Sequence, residues 1–156
     1  MATILPAAPD DAATILEIQT RAFAEEGRLS ESQDIPPLTE TLAAVIDHIR
    51  SHRALVARQG DRIVGSVRGI VVGSVCTIRG LSVEPEHQGH GIGAALLRAL
   101  EASLPAVSRF ELTTSTIVEG NVRFYERYGY RTTELTRFSE RVTLAQMRKA
   151  AGIESA

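Results

Sequence analysis

The feature that most constrains this chain is residues 88–97, with the sequence QGHGIGAALL. Three glycines alternate there, and an amphipathic helix follows at once. Because glycine carries no Cβ, the main-chain N–H groups of such a loop can turn toward a ligand without steric penalty. The start of the following helix adds unpaired N–H donors and the positive end of its dipole. Together these features predict a loop that cradles a pyrophosphate group.

The size and composition indicate one domain, spanning residues 1–156, with a substantial core. The chain is 44% hydrophobic, which argues against global disorder. Its formal charge is −2 with both signs interleaved, so we expect no nucleic-acid-binding face. Cys76 is the only cysteine, which excludes an internal disulfide and suits a reducing cytoplasm.

No targeting or membrane segment is expected. No apolar run reaches the roughly 20 residues that a bilayer-spanning helix needs. Residues 1–9 lack the charged and apolar regions of a secretory signal. We therefore expect a cytoplasmic protein with no membrane partner, and we expect no metal site.

Hydrophobic periodicity predicts an α/β (α+β) fold with a mostly antiparallel sheet. Residues 53–58, 62–72 and 75–83 form three strands joined by turns that are too short for anything but antiparallel pairing. Further strands are expected at 3–5 and 109–115. Residues 139–149 stay open: they form a hairpin, with strands at 130–138 and 141–148, or a helix over 144–149.

Helices are expected where apolar residues recur at helical spacing. The first expected helix is capped by Asp10 or Asp11 and has Ile15, Ile18 and Ala22 on its apolar side. The second spans 38–50, with Thr39 as its candidate cap and with Leu42, Val45, Ile46 and Ile49 at helical spacing. The third spans 91–103, with Ile92, Leu96, Leu97 and Leu100 toward the core, and the fourth spans 121–128. Residues 25–37 are polar and end in Ile35-Pro36-Pro37, which predicts a loop.

The glycine pattern also satisfies a loose dinucleotide-binding fingerprint. Gly89, Gly91 and Ala94 occupy its positions, and Glu111 lies near the spacing of a ribose-binding acid. That fingerprint belongs after the first strand of a parallel βαβ unit, whereas three antiparallel strands precede it here. The hypothesis of a nicotinamide-dependent oxidoreductase is therefore supported by the glycines alone. The remaining alternative is a glycine-rich turn before a helix that binds no ligand.

Two blocks of sequence resemble the GNAT superfamily of N-acyltransferases. Residues 81–97, LSVEPEHQGHGIGAALL, resemble the acyl-CoA signature of that family. Residues 121–130, NVRFYERYGY, resemble its helix with an Asn, a Tyr and a terminal Gly. Both blocks occur in the family's order and at its usual separation. The resemblance covers nearly the whole chain and implies a GNAT-like mixed sheet flanked by helices.

The resemblance implies acetyl-CoA as co-substrate, with its pantetheine arm held between splayed strands at 75–83 and 109–115. The implied cofactor-binding residues are Leu81, Ser82, Val83, Gln88, Gly89, His90, Gly91, Ile92, Gly93, Ala94 and Asn121. Main-chain groups of Leu81 and Val83 would pair with the pantetheine amides, and one strand N–H would polarise the thioester carbonyl. Candidate cations for the remaining phosphate are His87, His90, Arg98 and Arg123. The alternative role of Asn121 is an N-cap.

The resemblance further implies an enzyme, an N-acetyltransferase that acts on a primary amine of a small molecule or peptide by direct attack. Tyr125 is the candidate acid for the departing thiolate, and its alternative role is aromatic packing. Many family members carry a Glu in the strand before the loop, where this chain has CTIRG at 76–80. Without such a base, a catalytically silent acyl-CoA-binding module remains the alternative.

Candidate bases are Glu84, Glu86, Glu111 and Glu26, each of which would otherwise be a solvated surface acid or a strand-edge charge. A water chain could replace a dedicated base. Cys76 has no neighbouring His–acid pair, so we expect a small core residue and not a nucleophile.

Acceptor choice is expected to depend on the N-terminal third. In the family the first two helices and the segment between them flank the acceptor cleft. Here Glu25, Glu26, Glu31 and Asp34 outnumber Arg28 in that segment, and such an acidic rim would favour a cationic amine. A homodimer, common in the family, stays open. The sequence identifies neither the acceptor nor the acyl length.

Overall fold

The computed structural model describes residues 2–32 and 35–151. Its strands are β1 (Thr3–Pro6), β2 (Arg53–Gln59), β3 (Arg62–Val72), β4 (Val75–Val83), β5 (Arg109–Ser115), β6 (Arg131–Arg137) and β7 (Thr143–Ala150). Its α-helices are α1 (Ala12–Ala22), α2 (Ala24–Ser30), α3 (Pro36–Thr39), α4 (Leu42–Ser51), α5 (Ile92–Ala102) and α6 (Asn121–Arg127). Within the described ranges, no helix combines the length and apolarity needed to cross a lipid bilayer.

The strands form one mixed sheet in the order β1-β2-β3-β4-β5-β7-β6. Neighbouring strands are antiparallel except β4 and β5, which are parallel and are joined through α5. A parallel pair needs such a crossover connection, whereas the β2–β3–β4 meander needs only tight turns. The predicted meander and the predicted α/β class are both confirmed.

The C-terminal segment is a strand and not a helix. β6 and β7 form an antiparallel hairpin. Along β7, Ala145 and Met147 are buried while Gln146 and Arg148 are exposed, which is the two-residue period of a strand. Pairing with β5 along its whole length overrides the helix propensity of this segment.

Two hydrophobic clusters cover opposite faces of the sheet. Leu96, Leu97 and Leu100 of α5 are fully buried, as their spacing predicted, and pack in one cluster with residues of β2, β4, β5 and β7. The second cluster joins α1 and α4 to β2. Along β2 the cluster membership alternates from Leu55 to Val56, which places the two clusters on opposite faces.

The prediction of a loop over residues 25–37 is wrong. The helices α2 and α3 occupy most of that segment. An ion pair between Glu25 and Arg28, one turn apart, supports α2, and Gly27 and Ser30 are buried. Pro36 begins α3 at a position where its missing N–H is harmless.

The predicted helix caps also differ from those observed. Thr41, not Thr39, caps α4, and its Oγ1 accepts a hydrogen bond from the N–H of Ala44 at 3.1 Å. Leu42 at the start of α4 is 43% exposed and lies outside the core. Asp11 Oδ2 accepts from the N–H of Ala8 at 2.8 Å, so this carboxylate closes the 3₁₀ turn at Pro9–Asp11 instead of capping α1.

A buried arginine ties α1 and the α3–α4 connection to the centre of the sheet. Arg68 on β3 is 1% exposed and donates to both carboxylate oxygens of Glu40, at 2.8 and 2.6 Å. Its Nη2 also donates to Oε1 of Gln19 at 2.8 Å. Gln19 Nε2 in turn donates to Glu40 at 2.9 Å and to the carbonyl of Pro37 at 3.0 Å. Burial of this charge is tolerated because it is paired and hydrogen-bonded.

This network makes stability depend on acid pH through Glu40. Burial raises the pKa of Glu40, but hydrogen bonds from Arg68 and Gln19 outweigh it and lower the pKa from 4.5 to about 2. A carboxyl with a lowered pKa contributes stability that is complete above its unfolded pKa and is lost as the pH falls through its folded pKa. The contribution is at most about 3 kcal/mol at the standard energy of one pKa unit, because solvent screens part of the interaction.

We therefore expect Glu40→Gln to destabilise the protein near neutral pH and to flatten the pH dependence of the unfolding free energy. Urea unfolding between about pH 6 and about pH 2 measures both effects. Glu134→Gln, at an exposed position on β6, is the matched control and should follow the wild type. A Glu40→Gln profile parallel to that of the wild type would contradict the pairing.

Candidate active site

The strands β4 and β5 pair only at one end. Their parallel ladder joins Val75 to Arg109, Cys76 to Phe110 and Thr77 to Glu111. Beyond it, the structure of the described residues shows no pairing between 78–83 of β4 and 112–115 of β5. Each strand keeps its other neighbour, β3 or β7. A gap flanked by main-chain groups therefore opens between them, which confirms the splayed pair that the resemblance implied.

A β-bulge lies in β4 where the strands diverge. The register shifts so that Val67 of β3 faces two residues, Gly80 and Leu81. Gly80 has a φ of 62°, which glycine adopts without penalty. A Cβ on Gly80 would lie 2.7 Å from Nη2 of Arg68, closer than real contacts allow. The buried Arg68 network therefore packs directly against the bulge.

The main chain of Val83 faces the gap. The N–H of Glu84 donates to the carbonyl of Val64 at 2.8 Å, and Val83 lies opposite Gly65. In an antiparallel ladder, successive residues direct their N–H and C=O groups to alternate sides. The N–H and C=O of Val83 consequently point away from β3 and toward β5.

The neighbouring candidates are placed differently. Ser82 directs its main chain to β3 by the same alternation, and its Oγ donates to the carbonyl of Gly80 at 3.1 Å. Gln88 is exposed, and its Nε2 donates to the carbonyl of Val83 at 3.1 Å. The Gln88 side chain thus bridges the glycine loop and the edge of the gap, while Ser82 faces away from it.

The glycine loop presents bare main chain to open space. Gly89 and Gly91 both have a φ of 82°, and apart from the adjoining residues of the chain nothing in the described structure lies within 4 Å of a Cβ added to either. Gly91 is the N-cap of α5, and no described side chain caps that helix. The first N–H groups of α5, from Ile92 to Ala94, are therefore free to meet an external acceptor.

The end of β4, the start of α5 and helix α6 meet in one place. A Cβ on Gly93 would lie 3.5 Å from Cζ of Phe124 and 3.7 Å from Cγ2 of Val83. Asn121 begins α6, and its Nδ2 donates to the carbonyl of Ser115 at the end of β5, at 3.4 Å. The N-cap of α6 is Gly120, so Asn121 contacts the splayed strand and is not the cap.

Tyr125 of α6 is half-buried, and its hydroxyl has no hydrogen-bond partner in the part of the chain described. Its ring lies 5.1 Å from that of Phe124 and 5.9 Å from that of Tyr130, centroid to centroid. The Tyr130 hydroxyl, by contrast, donates to Glu101 at 2.6 Å. Burial, and then the charge of Glu26, raises the pKa of Tyr125. The hydroxyl therefore stays protonated at neutral pH.

Two of the candidate bases are already paired with arginines. Glu84 was expected to be a solvated acid or a strand-edge charge, but it is buried. It accepts hydrogen bonds from Arg21 of α1 at 2.6 and 2.8 Å. Those hydrogen bonds lower the pKa of Glu84, and the pair fastens α1 to the start of the glycine loop. Glu111 bridges Arg109 and Arg148 at 2.9 and 3.1 Å.

The predicted acidic rim is largely neutralised. Glu25 accepts from Arg28 at 2.9 and 2.5 Å. Glu31 pairs with Arg141 of the β6–β7 connection at 2.9 Å, which places that connection against the end of α2. Asp34 lies outside the described residues. Glu26 is half-buried and makes no hydrogen bond or ion pair with any described residue, and burial raises its pKa.

The candidate cations differ in their surroundings. Arg98 lies with its guanidinium 5.1 Å from the centre of the Tyr128 ring. His90 and Arg123 are exposed. His87 is half-buried, and its Nδ1 has no partner among the described residues.

Cys76 is a core residue, as predicted. It is fully buried, and burial raises its pKa to about 11, so the thiol is neither accessible nor ionised at neutral pH. In the described ranges, no cluster of His, Cys, Asp and Glu side chains could hold a metal ion.

The Arg68 network and the Arg21–Glu84 pair were not predicted from the sequence. One signal was present: Arg68 interrupts the apolar strand sequence IVGSVRGIVV, and a charge in a buried strand needs a partner. The sequence offered no comparable way to identify Glu40 or Gln19 as that partner, because both are distant along the chain.

Comparisons with known proteins agree with the fold and the signature. The sequence model of the acetyltransferase (GNAT) family matches residues 13–130. No curated protein sequence matches the chain. Among solved structures, the ribosomal-protein-S18-alanine N-acetyltransferase of Escherichia coli is similar, with a TM-score of 0.80 and 19% identity, over 97% of this chain and 94% of that one.

Two further similar structures contain a ligand. The yncA protein of Salmonella typhimurium, solved with its cofactor acetyl-CoA, has a TM-score of 0.76 and 18% identity, over 100% of this chain and 97% of that one. The PaiA N-acetyltransferase of Thermoplasma acidophilum, in complex with coenzyme A, has a TM-score of 0.77 and 17% identity, over 96% of this chain and 99% of that one. At these identities the structures establish the shared fold.

Proposed function

We propose, from the premise that this chain belongs to the GNAT family of acetyltransferases, that it transfers the acetyl group of acetyl-CoA to a primary amine of a small molecule or peptide. One observation carries the proposal: the gap between β4 and β5 opens beside a left-handed glycine loop at the start of α5. Similar folds solved with acetyl-CoA or coenzyme A support this choice of co-substrate.

The residues present fit coenzyme A. Gly89 and Gly91 leave open the space that a Cβ would fill, and the N–H groups between Gln88 and Ala94 would hold the diphosphate there. Main-chain groups of Leu81 and Val83 would pair with the pantetheine amides, because those of Val83 face the gap. The main chain of Ser82, which pairs with β3, would hold β4 in this position.

Acetyl-CoA supplies the acetyl group as a thioester, so that a C–N bond to the acceptor forms as the C–S bond breaks and sulfur leaves with its electron pair. Tyr125 donates its hydroxyl proton to that sulfur and regains a proton from the acceptor nitrogen. Its raised pKa keeps it in the donor form. An N–H of β4 that faces the gap would stabilise the charge that develops on the thioester carbonyl oxygen. Asn121 holds the end of β5 beside this site.

Gly91→Val should abolish binding of coenzyme A while the fold survives, because its side chain would occupy the space beside the free N–H groups. Gly60→Val is the matched control, since Gly60 also has a positive φ and open surroundings, in the β2–β3 turn. Both variants should lose about 1–2 kcal/mol of stability through backbone strain.

Unfolding with and without ligand measures this difference. Coenzyme A at 100 times its dissociation constant should stabilise the wild type and Gly60→Val by about 2.7 kcal/mol, and Gly91→Val not at all. NAD should stabilise none of them. Normal stabilisation of Gly91→Val by coenzyme A would refute the proposed cradle, and stabilisation by NAD alone would favour an oxidoreductase.

Tyr125→Phe should lower turnover roughly 100-fold and leave the affinity for coenzyme A unchanged, because only the proton donor is lost. The assay is thiol release from acetyl-CoA with a panel of polyamines, amino acids, aminoglycosides and peptides. Tyr128→Phe, at the C-cap of the same helix and also in edge-on contact with Phe124, is the control and should retain activity. An unchanged rate in Tyr125→Phe would leave Tyr125 a packing role only. Wild-type protein that binds coenzyme A but acetylates no amine would favour the silent module.

A further inference from the structure

We propose that Glu26 of α2 is the general base that takes a proton from a cationic acceptor amine, an inference that rests on the proposed acetyl transfer. The family resemblance left this role open, because β4 carries no carboxylate in residues 76–80. The proposal stands on where α2 places Glu26 and on which of the candidate carboxylates lack a cation.

Glu26 is the candidate whose charge the fold leaves uncompensated in a half-buried position. Glu84 and Glu111 are held by arginines, and Glu86 is exposed. Within α2 itself, Glu25 is held by Arg28, and Glu31 after the helix is held by Arg141. Over residues 2–32 and 35–151, no cation or donor reaches Glu26. A cationic ligand would supply the missing partner.

The helix that carries Glu26 lies between two contacts that place it beside the splayed strands. Just before α2, Arg21 binds Glu84 at the end of β4, and just after it, Glu31 binds Arg141 in the connection that leads into β7, the partner of β5. The negative charge of Glu26 also raises the pKa of Tyr125. The arginines of this segment do not compensate Glu26, because Arg28 pairs with Glu25 and Arg141 pairs with Glu31. The raised pKa of Tyr125 keeps its hydroxyl uncharged at neutral pH. An amine between Glu26 and Tyr125 would therefore meet one acceptor and one donor.

The position is unfavourable for the fold and suited to proton transfer. A partly buried carboxylate without a partner loses hydration and gains nothing in return. Burial raises the pKa of Glu26, which brings its affinity for a proton closer to neutral pH, where a general base works best. Glu84, held by Arg21 with a lowered pKa, is a poorer base.

Each proton and electron pair in the proposed transfer has a stated destination. An N–H bond of the ammonium breaks, its electron pair stays on nitrogen, and the proton bonds to a carboxylate oxygen of Glu26. The freed electron pair forms the C–N bond. The second proton of that nitrogen returns to Tyr125, which has protonated the leaving sulfur, and Glu26 later releases its proton to solvent. The acceptor class this predicts is a primary amine that is protonated in water.

Glu26→Gln separates this role from a structural one when two small amines are compared. n-Propylamine is protonated at neutral pH and needs a base, whereas hydroxylamine is largely unprotonated and does not. Glu25→Gln, the adjacent residue with its own arginine, is the matched control. Rates are measured by thiol release from acetyl-CoA after subtraction of the uncatalysed reaction.

With n-propylamine at neutral pH, Glu26→Gln should be at least roughly 100-fold slower than the wild type. With hydroxylamine the two should agree within roughly threefold, a margin far smaller than the effect of losing a general base. The Glu26→Gln rate with n-propylamine should rise about tenfold per pH unit as free amine accumulates below the pKa of the amine. Glu25→Gln should match the wild type with both amines. Stabilisation by coenzyme A should be unchanged in Glu26→Gln, and its melting temperature should equal or exceed that of the wild type, because an unpaired charge has been removed.

Four results would overturn the role of Glu26 and leave acetyl transfer standing, three of them properties of Glu26→Gln. These are wild-type rates in Glu26→Gln with n-propylamine, an equal loss with both amines, and a lowered melting temperature of Glu26→Gln, which would indicate a structural role. The role of Glu26 would also be overturned if the wild type acetylated hydroxylamine but not n-propylamine. If the wild type acetylates neither amine, the same variants are compared with the amine of the panel that it does acetylate, and no transfer to any amine would instead refute the proposed function itself.

Discussion

The parallel ladder that joins β4 to β5 ends after Thr77 and Glu111, and the rest of the site depends on that early end. If the ladder continued, main-chain groups of residues 78–83 would be satisfied by β5 and no linear ligand could enter. Because it stops, the N–H and C=O of Val83 face a gap. The carbonyl accepts from Gln88 there, whereas an N–H left without a partner when buried costs about 1–3 kcal/mol. A ligand with amide groups relieves that cost.

Side chains packed against β4 keep the gap open. Gly80 makes the bulge, and Arg68, fixed by Glu40 and Gln19, fills the space where a side chain on Gly80 would lie. Arg21 and Glu84 fasten α1 to the first residue after β4. Charged pairs from the N-terminal helices thus fix the shape of a strand edge that hydrogen bonds alone would not determine.

Local patterns predicted the elements next to the site. The alternating glycines and the spacing of Leu96, Leu97 and Leu100 predicted the loop and α5, because both depend on residues close in sequence. The splay and the candidate role of Tyr125 came from the two resembling blocks. The polar sequence of Ala24–Ser30 concealed a helix whose buried residues are Gly27 and Ser30, which carry no hydrophobic signal. The partners of Arg68 and the isolation of Glu26 depend on contacts between distant segments, which sequence periodicity does not report.

A crystal structure with coenzyme A bound tests the central claim most directly. The account predicts the diphosphate on main-chain N–H groups of residues 88–94 and the sulfur between the diverging ends of β4 and β5, within reach of Tyr125. A diphosphate bound elsewhere, or β4 and β5 hydrogen-bonded along their whole length, would contradict it.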